Sequence, residues 1–204
     1  MASSVTELDI VNRALDKLGE KNITSLTQDV KQARVMSTLV DPVRDRFLRK
    51  NPWNCAITRV QLAASTTAPA FGWATAYPLP SDFIKLLNVE SSSSTSIPLS
   101  GNKNTPRNIE YKIEGGSILC DETDALNVRY VKRLTDTTRY DSSMVEALAT
   151  LYALEACMSL TNDTSLRSEL KQEYMQMIQE AKQEDGWEDD MPDFPLDSWI
   201  SATL

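Results

Sequence analysis

Histidine is absent from all 204 residues. That removes Ser-His-Asp and Cys-His catalysis, the usual zinc sites and the commonest general base near neutral pH. Cysteine is sparse: Cys55, Cys120 and Cys157 lie far apart with no CxxC spacing. An odd, scattered set points to buried thiols in a reducing compartment. Six glycines form no GxGxxG and no phosphate loop. No run of about 18 apolar residues occurs, so no membrane span is expected. The first residues lack an apolar stretch after a basic start, so no secretory signal is expected either.

What is present suits one domain, or one domain with a sizeable insertion. Apolar residues make up 41% and charged residues 25%, as in ordinary globular proteins. The net charge of −8 is unevenly spread. From Glu184 onward there are seven acids and no Lys or Arg, leaving 22 acids against 21 bases elsewhere. This balance disfavours duplex DNA as a tightly held ligand, because phosphate binding needs clustered cations. Residues 31–59 nevertheless hold seven bases against two acids.

Those bases lie on the stretch around which the chain is organised, Asp29 to Ala56. Ala33, Met36, Val40, Val43 and Phe47 recur at three- and four-residue spacing, one face of an amphipathic helix. Asp29 is its expected N-cap, and Asn51-Pro52 its end, since a residue before proline leaves the α region. Pro42 inside the pattern predicts a kink, the apolar stripe keeping phase through it. Arg44, Arg46 and Arg49 are expected to make intersubunit salt bridges, because one helix cannot satisfy so many bases alone. Pro52 and Trp53 read as a packing hinge.

An earlier helix is expected to start with a Thr6–Asp9 capping box, bury Ile10, Val11, Ala14, Leu15 and Leu18, and stop at Gly19. From Cys55 to Arg133 the pattern turns to short strands: Ile57–Leu62, Phe83–Glu90, Ile97–Leu99, Ile109–Ile113, Ser117–Cys120 and Leu126–Tyr130. Tyr77-Pro78-Leu79-Pro80 must be extended, and Gly115-Gly116 marks a tight hairpin. Helix resumes at Ser142 with a Ser143–Glu146 capping box. Met144–Leu160 is apolar almost all round, so part of it is expected to face another subunit. Asp163 or Thr164 caps a last helix that Gly186 is expected to stop. The expected class is therefore α+β: a mainly helical bundle of about four long helices with an inserted antiparallel β-domain. Residues 1–54 and 134–184 make the bundle, 55–133 the β-domain, and 185–204 an extended acidic, aromatic tail.

Carboxylates are the only candidates for chemistry. Glu188-Asp189-Asp190 lacks the alternating ligands and glycine turn of a calcium loop. Glu110, Glu114, Asp121, Glu122 and Asp124 offer possible glycosidase pairs, though charged turns explain them more simply. No catalytic or metal-binding residue and no cofactor is assigned. The tail is the better functional candidate. Trp187, Phe194, Trp199 and Ile200 are interface anchors, and Asp189 and Asp190 would steer them to a basic groove.

A resemblance joins these features. Ile10-Val11-Asn12-Arg13-Ala14-Leu15, Leu18-Gly19-Glu20, Ile23-Thr24-Ser25-Leu26, Val43-Arg44-Asp45, Pro52-Trp53-Asn54-Cys55-Ala56 and Tyr77-Pro78-Leu79-Pro80-Ser81-Asp82-Phe83 follow one another in order, and the Met144–Leu160 helix closes the series. The chain thereby resembles the head-to-tail adaptors of short-tailed bacteriophages, the tail tubular protein A-like family. It departs at Cys55, where such sequences tend to carry Phe. The resemblance implies a non-enzymatic virion protein at the head–tail junction, assembled in the host cytoplasm as a ring of twelve under the portal protein. Its C-terminal tail would dock the portal, and its lower face would receive the tail nozzle protein and fibres. Genomic DNA would pass through without sequence-specific binding, and no membrane is involved. The competing expectation is a virion-associated peptidoglycan hydrolase using two carboxylates.

Overall fold

Thr6 opens the first helix as expected. Its hydroxyl accepts the Asp9 backbone N–H at 3.2 Å, and the Asp9 carboxylate accepts the Thr6 N–H at 2.8 Å. Two donors at the helix start are thus paired without help from water. The computed structural model describes residues 5–92 and 109–188, with 182–188 as backbone alone. Helix α1 (Glu7–Lys17) buries Ile10, Val11, Ala14 and Leu15. It closes at Gly19, whose φ is +68°. The Gly19 N–H reaches the Asp16 carbonyl and the Glu20 N–H the Leu15 carbonyl, both at 3.0 Å, which is a Schellman closure. A Cβ added to Gly19 meets nothing within 4 Å. Gly19→Ala is therefore expected to lose about 1–2 kcal/mol through the left-handed backbone alone. A urea midpoint equal to that of the parent protein would show that this backbone carries no such cost.

Helix α2 (Lys31–Lys50) buries Ala33, Met36, Val40, Val43 and Phe47, the expected stripe. Its N-cap is Val30, with no side-chain cap, and this corrects the expectation for Asp29. The helix begins one residue too late for Asp29, which instead pairs with Arg34 at 3.2 Å on the surface. The helix runs through Pro42 as one element. Pro42 has no N–H for the Thr38 carbonyl, but both residues are exposed, so water can serve that acceptor.

After Trp53 a 3-10 turn (Asn54–Ala56) leads to β1 (Ile57–Leu62), β2 (Thr75–Pro78), β3 (Phe83–Ser91), β4 (Tyr111–Glu114), β5 (Ser117–Cys120) and β6 (Leu126–Lys132). These form two three-stranded antiparallel sheets, ordered β1-β6-β3 and β2-β5-β4. The predicted strand at Ile97–Leu99 lies outside the described residues. Gly115 and Gly116, with φ of +56° and +77°, join β4 to β5. Two positive φ values in succession are what a two-residue type I′ hairpin requires.

Two cores result. Leu62, Tyr77, Val89, Ile118, Cys120, Leu126, Val128 and Tyr130 fill the space between the sheets. Ile84 and Val131 belong instead to the larger helical core. Tyr130 and Val131 are neighbours on β6 and point to opposite faces. The β1-β6-β3 sheet is therefore a wall with one core on each side.

Helix α3 (Ser142–Leu160) packs against α1, α2 and α4 (Thr164–Glu188). Its N-cap is Asp141, which accepts the Ser143 N–H at 2.9 Å, and not Ser143. The helix starts too early for the predicted capping box, and Glu146 pairs with Arg13 of α1 instead. By length and composition α3 is apolar enough to cross a membrane, yet 67% of its apolar window is buried inside this fold. Three helices of the same chain cover most of that surface, and Met158 stays 36% exposed. Asp163 caps α4 as expected, accepting the Ser165 and Leu166 N–H groups at 2.8 and 3.1 Å. Gly186 does not stop α4, which continues to Glu188. One glycine costs a helix only about 1 kcal/mol, too little to end it by itself.

Candidate functional site

Arg44 is the residue whose placement the sequence least foretold. It sits on the buried side of α2 with only 4% of its surface exposed. Its Nη1 donates to Glu7 of α1 at 2.6 Å, and its Nη2 to Asp41 at 2.5 Å. Burial opposes its charge, but Glu7, with Tyr140, Tyr152 and Asp41 behind it, outweighs that and raises its pKa. Tyr140 and Tyr152 stand beside it, donating to the Leu134 carbonyl at 2.7 Å and the Val40 carbonyl at 3.2 Å. Nε of Arg44 has no hydrogen-bond partner among the described residues.

Burial pushes the Tyr140 hydroxyl up to about 12. Burial, then a 2.9 Å hydrogen bond donated to Asp82, pushes Tyr130 up to about 12 as well. Both phenols ionise later in the folded than in the unfolded chain. Their contribution to stability is thus complete below the ordinary tyrosine pKa of about 10 and is lost as pH climbs from there toward 12. Urea midpoints are expected to fall across that window, with phenolate absorbance lagging until unfolding. Residue-resolved signals showing Tyr130 or Tyr140 ionising near pH 10 in the folded protein would contradict this.

Arg46 and Arg49 also have partners inside the chain. Arg46 pairs with Glu155 of α3, and Arg49 donates to the Ile84 carbonyl of β3 at 2.6 Å. Arg133, just past β6, grips Asp45 of α2 through Nε at 3.1 Å and Nη2 at 2.6 Å. Acceptors for these bases of α2 come from α1, α3 and β3 of the same chain. Arg44 is enclosed, whereas Arg46 and Arg49 keep exposed surface.

Pro52 and Trp53 lie where α2 hands the chain to the sheets. Trp53 is 5% exposed and stacks on Phe47, ring centroids 5.4 Å apart and planes 26° from parallel. Its indole N–H has no partner among the described residues. Asn12 forms a second joint. It accepts the Ile23 N–H at 2.9 Å and donates to the Ile23 carbonyl at 3.0 Å, holding the loop after α1 against that helix. Polar Asn12 beside a buried apolar stripe was the available signal.

The last half of α2, α3 and the first half of α4 enclose a groove of about 620 Å³. Leu154, Tyr174 and Met175 supply apolar surface over buried Phe47 and Leu151, while Arg46, Lys50, Arg167 and Lys171 stand round it against one acid among the described lining residues, Glu155. Lys50, Arg167 and Lys171 have no ion-pair partner among the described residues. Met175 is 56% exposed.

Three of the five acids considered for hydrolysis have side-chain contacts with their neighbours. Glu114 pairs with Lys112 at 2.5 Å, Asp121 accepts the Ala74 N–H at 3.0 Å, and Glu122 accepts from Ser91 at 3.1 Å. Glu110 is exposed, and the Asp124 backbone carbonyl accepts from Tyr77 at 2.6 Å. No group of three or more His, Cys, Asp or Glu with metal-holding geometry occurs among the described residues. Cys120 and Cys157 are buried free thiols and Cys55 is half-buried. Asp189, Asp190, Phe194, Trp199 and Ile200 lie outside the described residues, and Trp187 is described as helical backbone only. Comparison with models of known protein families finds no match to this chain, and comparison with curated proteins finds none either.

Proposed function

We propose that this chain is a structural head-to-tail connector of a short-tailed phage virion. In this reading copies form a ring, twelve in number by the resemblance, beneath the portal. The C-terminal tail docks the portal, the tail nozzle and fibres attach below, and DNA passes through the channel unread. The observation that carries the proposal is the architecture. A helical bundle interrupted by an antiparallel β insertion is what the resemblance implies, and its motif residues sit at the joints of this fold. Asn12 clamps Ile23, Asp45 holds Arg133, and Trp53 stacks at the passage from bundle to sheets. An intersubunit bridge from α2 falls to Arg46 or Arg49, because Arg44 is enclosed.

Mixing the chain with portal rings and imaging the product tests this directly. One added ring beneath each portal is expected. A chain ending at Glu188 should keep its helical circular dichroism and lose at least about nine-tenths of portal binding, a change of about 1.4 kcal/mol or more. Full binding by that shorter chain would remove the docking role of the tail. Failure of the full chain to add any ring would remove the connector reading itself.

A further inference from the structure

We infer that the basic groove between α2, α3 and α4 is a docking site for the acidic, aromatic segment 189–204 of the same chain. This concerns the free chain, before any portal takes the segment, and so goes beyond the connector reading without depending on it. The groove presents exposed Lys50, Arg167 and Lys171 without ion-pair partners among the described residues, beside an exposed Met175. A groove of about 620 Å³ is of the size that accommodates a few large side chains. Segment 189–204 carries four Asp, no Lys or Arg, and the aromatic residues Phe194 and Trp199. Cations round an apolar floor are the complement of that composition.

Chain length fits as well. Along α4, Met175 lies about 20 Å and Thr164 about 36 Å back from Glu188, at 1.5 Å per residue. Those two residues mark the extent of the groove on α4. A segment that reverses after Glu188 and runs extended advances about 3.3 Å per residue. Phe194 then arrives about 20 Å back, beside Met175, and Trp199 about 36 Å back, beside Thr164. Pro192 and Pro195 favour the extended backbone this path needs. The reversal consumes a residue or two, which leaves Phe194 at the Met175 end of the groove and Trp199 inside it. Tethering supplies the segment at an effective concentration of the order of millimolar, so at lower protein concentration the chain's own copy occupies the groove ahead of a neighbour's.

Hydrogen exchange on the full chain at low salt tests the assignment. Amides in 189–204 are expected to exchange about tenfold or more slowly than in an unstructured peptide. Arg167→Glu with Lys171→Glu should return them to the unstructured rate while peptides from α3 keep their protection. Phe194→Ser with Trp199→Ser, which alters no described residue, should do the same if the reversed charges disturb α4. Exchange of 189–204 at the unstructured rate in the parent chain would overturn the proposal. Protection that survives the substitutions in the segment would overturn it too. Protection that fades on roughly 50-fold dilution would assign the groove to a second copy's segment, and so overturn docking within one chain.

Discussion

Trp53→Ala should lower stability by about 3–5 kcal/mol, the range for emptying a buried aromatic site. For a chain of about 200 residues this corresponds to a fall in Tm of roughly 10 °C. The ring is almost wholly enclosed and stacked on Phe47, so its removal leaves a void where α2 ends and the 3-10 turn begins. Collapse is difficult there, because Arg49 and Arg133 fix the neighbouring backbone and helix on both sides. Trp53→Phe separates shape from polarity. It keeps most of the stacking surface and deletes a buried N–H that has no partner among the described residues. Its loss should be only about 1 kcal/mol, since removing an unsatisfied donor offsets part of the lost volume. Denaturant midpoints of the two variants decide the matter. Equal losses would mean that the indole N–H contributes and that the stacking account is incomplete.

The second large effect belongs to Arg44. Arg44→Ala should cost about 2–4 kcal/mol, combining a cavity under α1 with two broken charge contacts. The cost stays below that of stranding a fully buried acid, because the Glu7 and Asp41 side chains are 35% and 77% exposed and can turn to water. Arg44→Met keeps the length of the stem and removes the unpartnered Nε, so it should stay within about 1 kcal/mol of the parent. Chemical denaturation of both variants measures the difference. Equal, large losses would place the stabilisation in the ion pairs and not in packing.

Periodicity and local chemistry carried the sequence reading a long way. The stripes on α1 and α2 were legible because one face of each helix is buried and the other is not. Thr6, Gly19, Asp163 and Gly115-Gly116 were legible because each acts through its own immediate neighbours. The errors arose where a choice depended on distant parts of the chain. Asp29 and Ser143 are good caps in isolation, but tertiary packing starts each helix at a slightly different residue. Gly186 is a plausible stop that a helix already under way continues through. How much of the apolar girth of α3 its own chain covers was not legible, because the number of helices around it cannot be read from its own sequence. Arg44 was grouped with the exposed bases because an enclosed arginine betrays itself only through partners such as Glu7, 37 residues away. A single β-domain was the expectation, and its division into two facing sheets depends on strand pairings between segments far apart in the chain. The basic rim of the groove is assembled from α2 and α4, so no local window displays it.

Strand β6 has a consequence for how the molecule comes apart. It is the central strand of its sheet, and it gives Tyr130 to one core and Val131 to the other. Withdrawing it would breach both cores in the same event. The bundle and the β insertion are therefore expected to unfold as one cooperative unit. A load applied to the helices reaches the β2-β5-β4 sheet through the apolar core that β6 shares with it, because no strand pairing joins the two sheets among the described residues. Heating should accordingly show one transition, with helical and tyrosine signals lost together.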